Sequence, residues 1–281
     1  MDDAHPPWSA VREVVARALA EDLGPLGDIT AALVPATATA EGALVARAAG
    51  VLAGRRCAHE AFAQVDPTVH LDWTHDDGDA VAAGAVLATV AGPLRSVLTA
   101  ERTALNLACR LSGVASLTRR YVDALGSASC RILDTRKTTP GLRALEKAAV
   151  RAGGGANHRA GLSDMVLVKD NHLAGTSIAD AVAAARKRWP MRIIEVECDR
   201  PDQMDEALAA GADVVMLDNM SPDQVRACVA QVAGRALVEV SGGVDLDRVA
   251  DYAAAGADLI SVGALTMAAP ALDIGLDLRC S

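Results

Sequence analysis

The sequence predicts an α/β fold in which about six parallel strands close, or nearly close, into a barrel. Hydrophobic residues make up 51% of the 281 residues but aromatic residues only 2%, so alanine, valine and leucine must fill the interior. Small and branched side chains suit helices packed on parallel strands. After Gly126, short apolar runs alternate with helical segments. That alternation is typical of a parallel sheet covered by helices.

The first part of the chain is less regular. Residues 8–23 have helical periodicity, and Gly24-Pro25 ends the pattern. A long amphipathic segment at 101–125 predicts a second helix, and we place the domain boundary within it. Strand-like pieces between the two helices cover residues 42–48, 69–73 and 86–90.

The second part repeats one unit, an apolar run followed by a helical segment. The predicted strands are 132–133, 165–168, 193–196, 214–217, 237–240 and 259–262. The predicted helices are 142–151, 177–188, 202–210, 222–232 and 246–255. Six such units fall short of the eight strands of a complete barrel, so we expect an incomplete one.

Residues with reactive or charged groups follow every one of these strands. In chain order they are Asp134, Arg136, Lys137, Lys169, Glu195, Glu197, Asp218, Asn219, Ser241-Gly242-Gly243 and Gly263. Because the carboxyl ends of parallel barrel strands meet at one mouth, we expect these residues to build one site.

A basic island lies in an otherwise acidic protein. Between Arg136 and His172 there are seven Lys or Arg residues and three acids, whereas the whole chain carries a net charge of −9. This contrast predicts a small, multiply anionic ligand. The acidic total and the scarcity of aromatic residues argue against binding of single-stranded nucleic acid.

Charge type divides the expected roles. Gly242-Gly243 and Gly263-Ala264 follow the last two strands, where barrels bind phosphate, although ordinary turns would look the same. Glu197 and Asp218 could hold Mg²⁺ beside a diphosphate, could neutralise Lys169, or could do both. The side chains of Arg136, His158 and Arg159 carry donors that match the carboxylates of a ligand. Alternatively, these residues form ion pairs at the surface.

Other classes of protein are disfavoured. The six cysteines are dispersed without a C-x-x-C pair, which favours reduced thiols over a zinc site. No run of about 18 apolar residues predicts a membrane span. The acidic start lacks the apolar segment of a signal peptide, so we expect a cytoplasmic protein.

Several segments, in this order and spacing, resemble the quinolinate phosphoribosyltransferase family. The first are Ala20-Glu-Asp-Leu-Gly24, Gly50-Val-Leu-Ala-Gly54 and Glu101-Arg-Thr-Ala-Leu-Asn106. The signature segments are Asp134-Thr-Arg-Lys-Thr-Thr-Pro-Gly141, Gly153-Gly-Gly-Ala-Asn-His-Arg159 and Lys169-Asp-Asn-His172. The set ends with Asp218-Asn-Met-Ser221, Ser241-Gly-Gly243 and Val262-Gly-Ala-Leu265.

The resemblance implies a fold, an assembly and a reaction. The fold is an N-terminal α/β sandwich of residues 1–110, to which 270–281 return, and an incomplete α/β barrel of six or seven strands in residues 111–269. The assembly is a homodimer, or a higher assembly, with shared active sites in which Arg102 acts in the partner's site. The reaction joins quinolinate to 5-phosphoribosyl-1-diphosphate, giving nicotinate mononucleotide, CO₂ and diphosphate for NAD biosynthesis.

The same resemblance implies the site residues and Mg²⁺ as cofactor. The catalytic residues would be Lys137, Lys169, Glu197 and Asp218, the last two also holding the metal, partly through water. The carboxylates of quinolinate would bind Arg102, Arg136, His158, Arg159 and Lys169. The phosphates of the donor would bind Lys137, Lys169, Ser241, Gly242, Gly243, Gly263 and Ala264, and Thr135 and Val262 complete the set.

Some residues depart from the family pattern, and rival interpretations exist. Ser163 stands where an aromatic residue is more usual, and Met267 where histidine is frequent. One rival is the related protein associated with molybdenum transport, which Lys169-Asp-Asn-His172 disfavours. A second is a Schiff-base aldolase with Lys169 as nucleophile. The third is a phosphometabolite-binding protein without turnover.

Overall fold

The computed structural model describes residues 5–280, and contacts divide them into two units. The first unit contains the chain up to Arg119 together with 138–154 and the segment from Ala264 onward. The second unit contains 120–137 and 155–263. The boundary predicted at residue 110 falls inside the longest helix of the described chain.

The helices and strands of the first half run from α1 to α4. They are α1 (Trp8–Leu23), β1 (Thr39–Ala46), β2 (Gly50–Val51), α2 (Arg55–Val65), β3 (His70–Trp73), β4 (Ala80–Val81), β5 (Val86–Pro93), α3 (Leu94–Ala124), β6 (Arg131–Leu133) and α4 (Arg143–Ala152). Helix α2 was not predicted, and α3 begins seven residues before the predicted 101. A short 3-10 turn lies at Ala31–Leu33.

The second half continues from β7 to β12. Its elements are β7 (Val166–Val168), α5 (Ile178–Arg188), β8 (Ile194–Cys198), α6 (Pro201–Ala210), β9 (Val214–Asp218), α7 (Pro222–Val232), β10 (Leu237–Ser241), α8 (Val249–Ala254), β11 (Leu259–Ser261), α9 (Ala264–Met267) and β12 (Ile274–Cys280). All six strands and five helices predicted after Gly126 are present, with ends shifted by three residues or fewer.

The first unit is built on a four-stranded sheet in the order β12-β1-β5-β3, and its pairs are antiparallel. Strand β12 pairs with β1 from Ala40 to Ala46, so the end of the chain joins a sheet made by its beginning. Strands β2 and β4, which lie between β1 and β5 in the chain, form a separate two-stranded sheet. Helices α1 and α2 pack on each other in the same unit.

The second unit is built on a six-stranded parallel sheet in the order β6-β11-β10-β9-β8-β7. Helices α5 to α8 contact the strands that precede or follow them, as expected for helices that connect neighbouring parallel strands. In the part of the chain that is described, β6 and β7 form the two edges of the sheet without pairing to each other. The prediction of an incomplete α/β barrel is therefore confirmed.

Side chains alternate between the two faces of this parallel sheet. On one face Val196, Val215 and Val238 lie in register and are buried, as expected for the face under the helices. On the other face Glu197, Met216 and Glu239 lie in register. This second face, and not the helix-covered one, carries the polar residues.

A local signal explains where helix α7 begins. The Ser221 hydroxyl accepts the N–H of Gln224, the Gln224 side chain accepts the N–H of Ser221, and Pro222 opens α7. Starting α7 at this point leaves Asn219 in the turn after β9, next to Asp218 at the strand end. None of the described helices is both long enough and apolar enough to cross a bilayer.

Candidate active site

A cavity of about 480 Å³ lies at the carboxyl ends of the six parallel strands of the second unit. Such ends meet at the mouth of an α/β barrel, where a ligand can touch several strands at once. The lining residues are Thr135, Arg136, Lys137, His158, Arg159, Leu167, Lys169, Glu197, Met216, Asp218, Glu239, Ser241 and Ser261.

Strand register explains why these residues meet. Met216 is in register with both Glu197 and Glu239, and Asp218 with Ser241. Residues two apart on one strand share a face, so Asp218 extends the row above Met216 and the same relation links Glu239 to Ser241. Met216 and Glu239 are buried, whereas Glu197, Asp218 and Ser241 are half-buried and reach the mouth.

The loop after β6 supplies two of the cations. Arg136 and Lys137 directly follow Thr135, whose hydroxyl accepts the backbone N–H of Lys137 at 3.0 Å. A Cβ placed on Gly263 would lie 3.0 Å from Cδ of Lys137. Glycine at this position therefore leaves room for the Lys137 side chain to lie against the turn after β11.

Buried Asp134 fixes the loop that carries a third cation. The Asp134 side chain is fully buried, accepts Nδ2 of Asn157 at 2.6 Å and accepts the N–H of His158 at 2.9 Å. Arg159 follows directly. Burial, together with the positive charge of Arg136, lowers the pKa of Arg159. The two guanidinium groups are thus close enough to repel, and an anion between them would relieve that repulsion.

A histidine and two acids form a buried cluster beneath the cations. His158 Nε2 lies 3.0 Å from Glu195 Oε2 and 3.4 Å from Glu239 Oε2, and both acids are 1% exposed or less. The backbone N–H of Arg159 donates to Nδ1 of His158 at 2.9 Å. Both ring nitrogens therefore have protein partners, and the imidazole is fixed in orientation.

Burial governs the protonation of this cluster. The Oε1 atoms of Glu195 and Glu239 are buried without a hydrogen-bond partner in the described chain. Burial and the Glu239 charge raise the pKa of Glu195 to about 7 against the opposing hydrogen bond from His158. Burial alone would lower the pKa of His158, but the two acids outweigh it and raise that pKa to about 10. The N–H of Arg159 opposes that rise, since it needs a lone pair on Nδ1.

The cluster also meets the spacing of a metal site, because one ligand atom from each of its three residues lies within 4.8 Å of the others. His158 Nε2 already faces both carboxylates, which accounts for the arrangement without an ion. Glu197 and Asp218, at the open mouth, are the better candidates for Mg²⁺. Hard cations prefer carboxylate oxygens and keep several waters, and Mg²⁺ commonly uses one or two carboxylates plus substrate phosphate.

Lys169 and Glu197 form an ion pair at the mouth, between the ends of β7 and β8. Asp218 accepts Nδ2 of Asn219 at 2.5 Å at the end of β9. The two interpretations of these acids, as partners of Lys169 and as metal ligands, are compatible. Glu197 neutralises Lys169 here, and its carboxylate still lines the cavity.

The turns after β10 and β11, which contain Gly242-Gly243 and Gly263, lie at the same end of the sheet as the cavity. Gly242 has φ +89°, and a Cβ there would overlap the side chain of Asn219, so no other residue fits. Gly243 has φ +59°, and a Cβ built there would have nothing within 4 Å, so its backbone is open to a ligand. Val262, which precedes Gly263, is 2% exposed.

Most of the residues predicted for the site are brought together by the structure. Those lining the cavity are Thr135, Arg136, Lys137, His158, Arg159, Lys169, Glu197, Asp218 and Ser241. Those in the turns after β10 and β11 are Gly242, Gly243, Val262, Gly263 and Ala264. Arg102 lies in α3 within the first unit, with its side chain 66% exposed.

Four lining residues were not predicted from the sequence, namely Leu167, Met216, Glu239 and Ser261. Each lies two positions before a predicted site residue or turn glycine, so strand periodicity could have found them. The partnership of Glu195 and Glu239 with His158 had no signal in the sequence, because it depends on which strands are neighbours.

Comparison with known proteins assigns the family. Residues 28–112 match "Quinolinate phosphoribosyl transferase, N-terminal domain", and residues 114–277 match the C-terminal domain of the same family. The chain belongs to the quinolinate phosphoribosyltransferase family. The resemblance recognised in the sequence is thereby confirmed, and the whole cavity lies within the part that matches the C-terminal domain.

Individual members of the quinolinate phosphoribosyltransferase family are similar in sequence to this chain over nearly their full length. The nicotinate-nucleotide pyrophosphorylase [carboxylating] of Mycobacterium leprae is 44% identical, covering 96% of this chain and 98% of that protein. A probable enzyme of the same name from Bacillus subtilis is 43% identical, covering 93% and 91%. The solved structure of the Francisella tularensis nicotinate-nucleotide pyrophosphorylase has a TM-score of 0.93 at 40% identity, covering 98% of both chains.

Proposed function

We propose that this protein transfers the phosphoribosyl group of 5-phosphoribosyl-1-diphosphate to quinolinate and releases CO₂, giving nicotinate mononucleotide for NAD biosynthesis. The observation that carries the proposal is the cavity, in which four cations meet the acids Glu197, Asp218 and Glu239 within the family's C-terminal domain. The cations are Arg136, Lys137, Arg159 and Lys169. The names of the relatives support this reaction and favour none of the rival interpretations.

Quinolinate would bind on the arginine side of the cavity. Arg136 and Arg159 offer planar pairs of N–H donors that match carboxylates, and their mutual repulsion leaves space for an anion. Lys169, directly after β7, would contact the same substrate. His158 stays a predicted quinolinate contact, although a direct hydrogen bond would require one of its ring nitrogens to exchange its present partner.

The phosphoribosyl donor would bind on the glycine side. Lys137 and Lys169 would neutralise the diphosphate, and the backbone N–H groups of 241–243 and 263–264 would take the 5′-phosphate. Glu197 and Asp218 would hold Mg²⁺, which supplies positive charge to the leaving diphosphate when bound. Glu197 pairs with Lys169 in this structure, so one carboxylate would serve both the lysine and the metal.

The reaction needs no nucleophile from the protein. The pyridine nitrogen attacks C1 of ribose as the bond to diphosphate breaks, and the electron pair of that bond leaves with the diphosphate. Positioning by the arginines and charge stabilisation by the lysines would supply most of the rate. The ring nitrogen is then positively charged and stabilises the electron pair left on the neighbouring ring carbon when its carboxylate departs as CO₂. A proton then binds to that carbon.

The assembly we propose is a homodimer in which Arg102 enters the partner's site. The exposed position of this side chain in the first unit supports that arrangement, with only Glu101 as a charged partner, at 3.8 Å, among the described residues. We propose a cytoplasmic location. The five cysteines whose side chains are described are free thiols and four of them are buried, as expected in a reducing compartment.

The direct test supplies the purified protein with quinolinate, 5-phosphoribosyl-1-diphosphate and Mg²⁺. Diphosphate, CO₂ and nicotinate mononucleotide should form in equal amounts. Nicotinate in place of quinolinate should be a poor substrate, because it lacks the second carboxylate. Turnover without CO₂ release, or equal use of nicotinate, would contradict the proposal.

A further inference from the structure

One of the three acids within the basic island has a position that the reaction does not explain. Glu146, on α4, is completely buried in the first unit. Its Oε1 accepts Nε and Nη2 of Arg110 at 3.2 and 2.9 Å and the Thr139 hydroxyl at 2.8 Å. Its Oε2 accepts the backbone N–H of Thr139 at 3.0 Å. The carboxylate therefore ties helix α3 to the Thr139 loop.

Arg110 ties the same point to another segment. Its Nη1 donates to the carbonyl oxygen of Ala269 at 2.9 Å, and Nη2 donates to the carbonyl oxygen of Thr266. These carbonyls belong to α9 and the residues after it. Arg110 and Glu146 together thus bond to main-chain groups of two separate loops, and we call this set the Arg110–Glu146 clamp.

Both clamped loops lead directly into the cavity. Thr139 is two residues after Lys137, and Thr266 is three residues after Gly263. Within the second unit, Lys137 and Gly263 approach each other closely enough that a Cβ on Gly263 would lie 3.0 Å from Cδ of Lys137. The same two stretches of chain are therefore in contact at the cavity and tied together again a few residues further on.

Stability alone is a poor explanation for the clamp. A buried ion pair often contributes little net stability, because the cost of removing two charges from water offsets their attraction. Here the charged groups instead satisfy main-chain groups of Thr139, Thr266 and Ala269, which fixes the geometry of both loops. Fixed geometry is what a site for a flexible, multiply charged ligand requires.

We propose that Arg110 and Glu146 are positioning residues that hold the Lys137 loop and the Gly263 turn in place for the phosphoribosyl donor. The proposal rests on the function proposed above, since both loops are assigned there to the phosphates. Neither residue touches a substrate. Their loss should weaken binding of 5-phosphoribosyl-1-diphosphate more than binding of quinolinate, because only Arg136 among the quinolinate contacts of the second unit lies in a clamped loop, whereas Arg159, Lys169 and the 157–159 loop do not.

The test compares Glu146→Gln and Arg110→Met with a control, Leu145→Ala. Leu145 is 1% exposed on the same helix and has no part in the clamp, so the control loses core packing and leaves the clamp intact. Both clamp variants should raise the KM for 5-phosphoribosyl-1-diphosphate about 10- to 100-fold, with a smaller change in the KM for quinolinate. The control should lower Tm without this selective change.

Hydrogen exchange separates the clamp from the reaction. Amide exchange at Thr139 should accelerate in Glu146→Gln and in Arg110→Met, but not in Leu145→Ala at a temperature equally far below Tm. Arg110→Lys, which keeps the charge but cannot reach all its partners, provides a milder variant if the others fail to fold, and its KM should be intermediate.

The outcomes are distinct. Wild-type protein that forms no nicotinate mononucleotide refutes the proposed function, whereas the exchange result still decides whether the clamp holds the loop. A KM for the donor that changes by less than about 3-fold, or by the same factor in Leu145→Ala, overturns the positioning role.

Discussion

Asp134 offers the sharpest test of how the quinolinate side of the cavity is held. The Asp134→Asn substitution keeps the shape of this buried side chain and removes its charge. It weakens the bonds that the carboxylate accepts from Nδ2 of Asn157 at 2.6 Å and from the N–H of His158 at 2.9 Å. The substituted side chain contacts His158, the residue before Arg159. The substitution should leave the rest of the cavity unchanged.

The magnitude for the 157–159 loop is worked from these two bonds, which are among the contacts of Asp134. The amide of Asn157 can turn over and offer its oxygen to the new amide nitrogen, so no donor is forced against a donor. What is lost is the charge in each bond, worth about 1 kcal/mol apiece as the difference between charged and neutral hydrogen bonds. The sum, about 2 kcal/mol, corresponds to roughly a 30-fold weaker hold on quinolinate if the 157–159 loop carries the binding.

Steady-state kinetics at saturating 5-phosphoribosyl-1-diphosphate would measure the KM for quinolinate. The chain provides a control in Asp164→Asn, since Asp164 likewise accepts two N–H donors, here the backbone N–H groups of Ala160 and Gly161, in the same connection between β6 and β7. Asp164 is exposed, so water can replace the lost charge and the KM should change by less than about 3-fold. Equal effects of both substitutions, or an unchanged KM in Asp134→Asn, would refute the role given to Asp134.

Three further predictions concern the metal, the assembly and the thiols. Glu197→Gln should raise the Mg²⁺ concentration for half-maximal rate by about 10-fold or more, and an unaltered Mg²⁺ dependence would remove Glu197 from the metal site. Mixing inactive Arg102→Ala and Lys169→Ala subunits should restore about a quarter of wild-type activity, since half of the dimers are hybrids with one intact site, whereas no recovery would exclude shared sites. Burial raises the pKa of the Cys57 and Cys198 thiols to about 12. Iodoacetamide at neutral pH should therefore modify them only after unfolding, and rapid labelling of the native protein would contradict their burial.

The second half of the chain could be predicted well because its signals are local. Each apolar run between polar turns is a strand, and each amphipathic stretch such as 222–232 is a helix, bounded by residues that cap it. The first half was harder. Helix α2 (Arg55–Val65) was missed although it is as long as α7, because no repeated strand–helix unit marks its place, and the start of α3 was placed seven residues late.

The same distinction between local and tertiary signals applies to the candidate site. Lys137, Lys169, Glu197 and Asp218 lie at or just after strand ends, and parallel strands all end on one side of the sheet, so the sequence by itself determined that these charges would meet. It also determined the family, because the signature segments are contiguous in the chain.

Only the tertiary structure decided what lies beneath those charges. Glu195 on β8 and Glu239 on β10 have β9 between them in the sheet and meet His158 through the register of these strands, which no local pattern specifies. The clamp on Thr139 likewise joins residues from separate segments of the chain. Strand ends are set by local sequence, whereas partners of buried charges are set by packing, because a charge withdrawn from water must find its counterpart wherever the fold places one.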